Sequence, residues 1–87
     1  MVLSYRVELH RAARREVREL PANVRERVFD ILGRLPEEPR PRGARKLSGR
    51  SEWRIRMGDY RIVYRVFDAD QYILVTQITR RNERTYD

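Results

Sequence analysis

Arginine recurs at positions 54, 56, 61 and 65 of the 87-residue chain, on either side of the dipeptide Gly58-Asp59. Guanidinium groups stay protonated in proteins and present a rigid fork of donors that matches phosphate oxygens. Several of them gathered in one place bind an anion or stabilise one as it forms. Gathering them requires an element that aims them together. The stretch Glu52-Trp-Arg-Ile-Arg-Met-Gly-Asp-Tyr-Arg-Ile-Val-Tyr-Arg-Val66 supplies one. It reads as a β-hairpin whose two-residue turn, glycine first, suits type II′ geometry. That turn sets the register: Met57 pairs with Tyr60, Ile55 with Ile62 and Trp53 with Tyr64, giving one apolar, aromatic face. On the other face Arg56 lies opposite Arg61, with Arg54 and Arg65 close by. Like charges opposed across a sheet cost stability, so this face is the candidate site.

Other chemistries lack their residues. The chain has no cysteine, which excludes thiolate catalysis and a disulfide framework and suits a reducing, cytoplasmic setting. His10 is the single histidine and the carboxylates show no ligand spacing, so no metal and no small-molecule cofactor is expected. No serine, cysteine or lysine is set in a nucleophile pattern. At this length residues 1–87 form one domain, able to bury about 60% of its unfolded surface. The net charge is +7 and unevenly spread: residues 1–39 carry 8 Arg against 7 acids, whereas residues 40–87 carry 11 Arg and Lys46 against 6. The excess coincides with the hairpin, the electrostatic footprint of a phosphate-rich partner. No apolar run approaches the roughly 18 residues of a membrane span, and no membrane partner is expected.

The remaining elements frame the hairpin. Val2 to Leu9 alternates as a first, half-buried strand, expected beside the hairpin. From Arg11 to Leu20 the period becomes helical: Ala13, Val17 and Leu20 form the apolar stripe, and Arg11, Arg14, Arg15 and Arg18 form a solvated face. Pro21 ends this helix. A second carries Val24, Val28, Ile31, Leu32 and Leu35 and stops at Pro36. The short connection makes an antiparallel helical hairpin able to cover one sheet face. Residues 36–45, rich in proline and charge, read as a crossover loop, and Asp68-Ala-Asp70 as a turn. Gln71 to Thr79 reads as a last strand, apolar on both sides at Ile73, Leu74 and Val75, as an interior position requires. His10, between strand and helix, reads as a cap or surface residue, and Trp53, Tyr60 and Tyr64 as core. Arg65 reads either as a partner of Glu52 or as part of the basic face.

The order β-α-α-β-β-β, the lead-in Lys46-Leu47-Ser-Gly, the segment Arg54-Ile-Arg-Met-Gly-Asp-Tyr-Arg-Ile-Val-Tyr64 and the ending Arg80-Arg-Asn-Glu-Arg-Thr-Tyr86 together resemble the RelE/ParE superfamily of toxin-antitoxin toxins. The resemblance covers nearly the whole chain. It implies an α+β fold with an N-terminal strand, a two-helix hairpin and a three-stranded antiparallel meander, all strands in one sheet covered on one face by the helices. It also implies a cognate antitoxin. The superfamily divides into ribosome-dependent messenger-RNA endonucleases of RelE type and ParE-type poisons of DNA gyrase, and fold alone does not choose between them.

In the nuclease branch the functional groups are basic residues on the central sheet and a tyrosine near the C-terminus. By position these are Arg54, Arg56, Arg61, Arg81 and Tyr86, a set that ParE-type members typically lack. The resemblance therefore implies an endoribonuclease toxin that cuts messenger RNA on the ribosome, without metal, through attack by the 2′-hydroxyl. The alternatives are a gyrase poison and a basic module that binds RNA or ribosomes without cutting. In the leading reading Arg56 and Arg61 clamp the scissile phosphate, and Arg81 meets the leaving oxygen. Arg54, Arg65, Lys46 and Arg80 contact RNA, and Tyr86 serves either in acid–base transfer or in base stacking. One departure is chemical. RelE-type toxins can carry lysine where this chain has Arg54 and Arg56, and arginine does not serve readily as a general base.

Overall fold

Glycine at position 58 sets the hairpin. Its φ is +59°, whereas Asp59 keeps a negative φ, the pattern that a glycine-first turn requires. In the computed structural model, which describes residues 4–47, 49 and 51–80, the two strands it joins are β3 (Glu52–Met57) and β4 (Tyr60–Phe67). Their register follows the expected one, with Met57 opposite Tyr60, Ile55 opposite Ile62, Trp53 opposite Tyr64 and Arg56 opposite Arg61.

The remaining described elements are β1 (Arg6–Leu9), α1 (Arg11–Arg18), α2 (Ala22–Arg34), β2 (Arg45–Lys46) and β5 (Tyr72–Arg80). A 3₁₀ turn at Asp68–Asp70 joins β4 to β5. The sheet order is β1-β5-β4-β3-β2. Two features differ from the sequence expectation. β1 lies not beside the hairpin but beside β5, parallel to it, with Arg6 opposite Tyr72 and Leu9 opposite Val75. A two-residue strand, β2, closes the other edge against β3. β5 is therefore interior through Val75, which is why Ile73, Leu74 and Val75 are apolar on both sides.

Helix α1 starts where His10 Nδ1 accepts a 3.2 Å hydrogen bond from the amide of Ala12, an N-cap. It ends ahead of Pro21, and α2 runs until Leu35 and Pro36. Their stripes, Ala13, Val17, Leu20, Val24, Val28, Leu32 and Leu35, pack against Ile55, Met57, Ile62, Tyr64, Ile73, Val75 and Ile78 in one core. Where β1 has ended, the Glu16 carboxylate takes its place along β5, accepting a 2.8 Å hydrogen bond from the amide of Ile78. One sheet face is thus committed to the helices. The arginines occupy the opposite one.

Candidate nucleic-acid interface

Strand alternation places Glu52, Arg54 and Arg56 of β3 on the side away from the helices, together with Arg61, Val63 and Arg65 of β4. Val63 lies at the centre of this face, opposite Arg54 on one side and Gln77 on the other. It is 1% exposed although no helix covers it. The long side chains around it close over it, and Arg54 Nε, Arg61 Nε and Arg61 Nη1 are buried along with it. Arg54 and Arg61 are accordingly half-buried, while Arg56 and Arg65 are exposed. Arg54 Nη1 also donates to the carbonyl of Gly43 at 3.4 Å. The result is a convergent cationic face over an apolar floor.

A bulge in β5 adds a hydroxyl to it. Val63 pairs with Gln77 but Tyr64 pairs with Val75, so Thr76 is the extra residue. Thr76 Oγ1 lies 3.2 Å from the carbonyl oxygen of Val63 and 3.0 Å from Glu52 Oε2. Glu52, Arg65 and Thr76, with Gly49 and Ser51, line a cleft of about 460 Å³. Arg65, the cross-strand partner of Glu52, lies over the Phe67 ring at 5.1 Å. Phe67 stacks on Tyr72 at 5.7 Å, and Arg6 covers Tyr72 at 5.0 Å. These cation–π contacts hold Arg65 in place and add one further guanidinium group, that of Arg6, to the same face.

Not every basic residue expected at the site shares this face. Lys46 pairs with Trp53 and Arg80 with Tyr60, residues of the helix-covered side. Arg80 is turned by the bulge: counting inward positions at two-residue intervals from Ile73 and Val75 sends residue 80 to the arginine face, and the extra residue Thr76 reverses that parity. In exchange Arg45, which the sequence pattern puts in the crossover loop, pairs with Arg54 and joins the face. The signal available for it was the spacing of buried Ala44 and Leu47 around an exposed Arg45-Lys46 pair. Arg81 and Tyr86 lie outside the described residues. Among those described, no cluster of three histidines, cysteines or carboxylates is placed to hold a metal ion.

Residues 7–85 match the family model described as the ParE toxin of type II toxin-antitoxin systems. The archaeal RelE of Pyrococcus horikoshii, solved as a RelE–RelB complex, is 30% identical and superposes with a TM-score of 0.83 over 92% of this chain and 98% of that one. This chain belongs to the RelE/ParE family of toxin-antitoxin toxins. The intact Escherichia coli RelBE toxin-antitoxin complex contains a further relative, 28% identical, with a TM-score of 0.79 over 93% of this chain and all of that one. A Methanocaldococcus jannaschii protein named as toxin RelE1 is 26% identical over 83 residues, 91% of this chain and 92% of its own.

The RelE/ParE fold explains the division of labour between the faces. Helices α1 and α2 complete the core against one face of the sheet, and the other face is free of that duty. The meander is then left to present charge. Within the family, this chain combines a match to a family model named for ParE with likeness to solved structures named for RelE.

Proposed function

We propose that this toxin is a ribosome-dependent endoribonuclease that cuts messenger RNA by attack of a 2′-hydroxyl on the adjacent phosphate. The observation that carries the reading is the convergence of Arg54, Arg56, Arg61 and Arg65 over buried Val63 on the face the helices leave uncovered. Arg56 set directly against Arg61 concentrates positive charge on this face, and a polyanion that threads across the meander matches it. Arg56 and Arg61 clamp the scissile phosphate and meet the charge of the phosphorane, Arg54 and Arg45 hold neighbouring phosphates, and Arg81 and Tyr86 act at the leaving oxygen or on the flanking base.

A cognate antitoxin completes the system, since an enzyme that degrades its own cell's messages must be held inactive. The relatives solved with RelB support such a partner. Its segment facing this domain is acidic or amphipathic and folds on binding, matching a basic sheet face next to apolar helix edges.

The second reading is a gyrase poison, favoured by the name of the matching family model. Such a toxin binds a protein and needs none of the sheet arginines for cleavage. Two reactions separate the readings: a translation extract, in which the endoribonuclease produces cut messenger RNA, and a supercoiled-DNA reaction with gyrase, in which it produces no cleaved DNA. Cleaved DNA with intact messages overturns the nuclease reading in favour of the poison.

A further inference from the structure

We propose that Glu52 is the general base of this toxin, the carboxylate that takes the proton from the attacking 2′-hydroxyl. The inference rests on the endoribonuclease reading and fills the one role in it that the arginines cannot perform. RNA cleavage of this kind needs a proton acceptor, and Arg54 and Arg56 are not acceptors at any working pH. The Nδ1 of His10 is committed to capping α1.

Among the described carboxylates, position singles out Glu52. Glu8 lies on the far edge strand with Arg6 3.6 Å away. Asp68 is tied to Arg40 and Tyr5 at the turn between β4 and β5. Asp59 sits in the hairpin turn, outside the strand alternation. Glu52 instead stands in β3 on the arginine face, two residues before Arg54 and directly opposite Arg65.

The bulge in β5 supports the assignment. Such bulges re-aim side chains beside active sites, and this one brings the Thr76 hydroxyl within 3.0 Å of Glu52 Oε2 while the same hydroxyl lies 3.2 Å from the carbonyl of Val63. One carboxylate oxygen is fixed by this contact, and an open cleft of about 460 Å³ lies beside it. The described charged groups facing Glu52 are Arg54 on its own strand and Arg65 on β4; β5 contributes the neutral hydroxyl. The attacking ribose, between a phosphate on Arg54 and the scissile phosphate on Arg56 and Arg61, lies along the same sheet face as the carboxylate.

In the step itself the Glu52 carboxylate accepts the 2′-hydroxyl proton as the 2′-oxygen bonds to phosphorus and the bond from phosphorus to the 5′-oxygen breaks. The leaving 5′-oxygen takes a proton, either from the Tyr86 phenol, which solvent then reprotonates, or directly from solvent, and Glu52 later returns its own to solvent. The products are a 2′,3′-cyclic phosphate and a 5′-hydroxyl, with no net change in protons.

The test is single-turnover cleavage of messenger RNA on purified ribosomes, measured across pH for wild type, Glu52→Gln and Glu52→Asp, with ribosome association and circular dichroism recorded in parallel. Glu52→Gln keeps the shape and an acceptor for Thr76, so the expected result is intact folding and association, a rate lower by about 10² to 10⁴, and loss of the acid limb of the pH profile. Glu52→Asp restores the limb and part of the rate. A glutamine variant that cuts like wild type, or keeps the limb, overturns the assignment and leaves the endoribonuclease reading standing. A folded aspartate variant no better than glutamine also overturns it. Wild type that cuts no message removes both.

Discussion

The hydroxyl of Tyr64 donates a 2.8 Å hydrogen bond to the carbonyl of Pro39, fastening the centre of the sheet to the crossover loop. The ring is fully buried in the core, and burial pushes the phenol up to about 12. Tyr64→Phe removes the donor and leaves the Pro39 carbonyl without it, at an expected cost of about 1–3 kcal/mol in urea denaturation. The pH dependence has a definite sign. An unfolded tyrosine ionises near pH 10, so the unfolded state loses a proton that the folded state retains. Wild-type stability is therefore fully present below about pH 10 and declines as pH rises toward 12. In Tyr64→Phe that alkaline decline becomes shallower.

The next residue of the same loop is held as well. Arg40 donates to Asp68 at 2.7 Å and Tyr5 donates to the second carboxylate oxygen, also at 2.7 Å. These bonds from Arg40 and then Tyr5 hold the Asp68 carboxyl below its ordinary value. A depressed carboxylate stabilises the fold above its unfolded pKa, about 3.9, and that contribution is lost as pH falls through the folded value. Asp68→Asn is expected to be less stable than wild type at neutral pH and to converge with it in acid. A stability difference that persists unchanged at low pH refutes the linkage.

Local pattern carried the hairpin and failed elsewhere for identifiable reasons. Gly58-Asp59 and strict alternation specify the register of β3 and β4, and with it the meeting of Arg56 and Arg61, because both strands are joined through one short turn. The neighbour of β1 is not encoded that way: a parallel partner reached through two helices leaves no turn to read, and Tyr5, Val7 and Leu9 suit either location. Alternation along β5 does not predict the side on which Arg80 stands, because the inserted residue Thr76 inverts the faces beyond it. Arg45 escaped because a two-residue strand shows no period. The candidate face was legible as charge. Its carboxylate was not, since a glutamate opposite an arginine reads first as an ordinary surface pair.

Those placements make a face-specific prediction for RNA binding. Each phosphate neutralised on a single strand contributes about 0.7 to the slope of log affinity against log salt. Alanine at Arg45, Arg54, Arg56 or Arg61 is expected to reduce the slope by up to about that amount in filter-binding titrations with single-stranded RNA. Alanine at Lys46 or Arg80, on the helix-covered side, leaves it unchanged. The reverse pattern would move the interface to the other face.

Tyr86, assigned by resemblance, can be tested by separating its ring from its hydroxyl. Proton transfer by the phenol predicts that Tyr86→Phe loses about 10² to 10⁴ in single-turnover cleavage. Stacking predicts that Tyr86→Phe cuts like wild type while Tyr86→Ala fails. Full activity in both variants takes Tyr86 out of the site.

Arg61 is expected to matter more to the chemical step than to binding. It lies opposite Arg56, with its half-buried stem beside Val63, so its head is held in place before substrate arrives. A fixed cation does most where charge develops during the reaction, because it stabilises the phosphorane more than the bound phosphodiester. Arg54, with its neighbour Arg45, meets charge that is present throughout and contributes to both states alike. Arg61→Ala is therefore expected to leave ribosome association nearly intact and to slow single-turnover cleavage by about 10² to 10³. Arg54→Ala chiefly weakens association. Arg61→Lys discriminates further, since lysine restores the charge but not the two-pronged geometry. Partial recovery, short of wild type, is the expected outcome. Complete recovery would mean that charge alone suffices, and equal losses in binding and rate for Arg61→Ala would assign the residue to holding RNA.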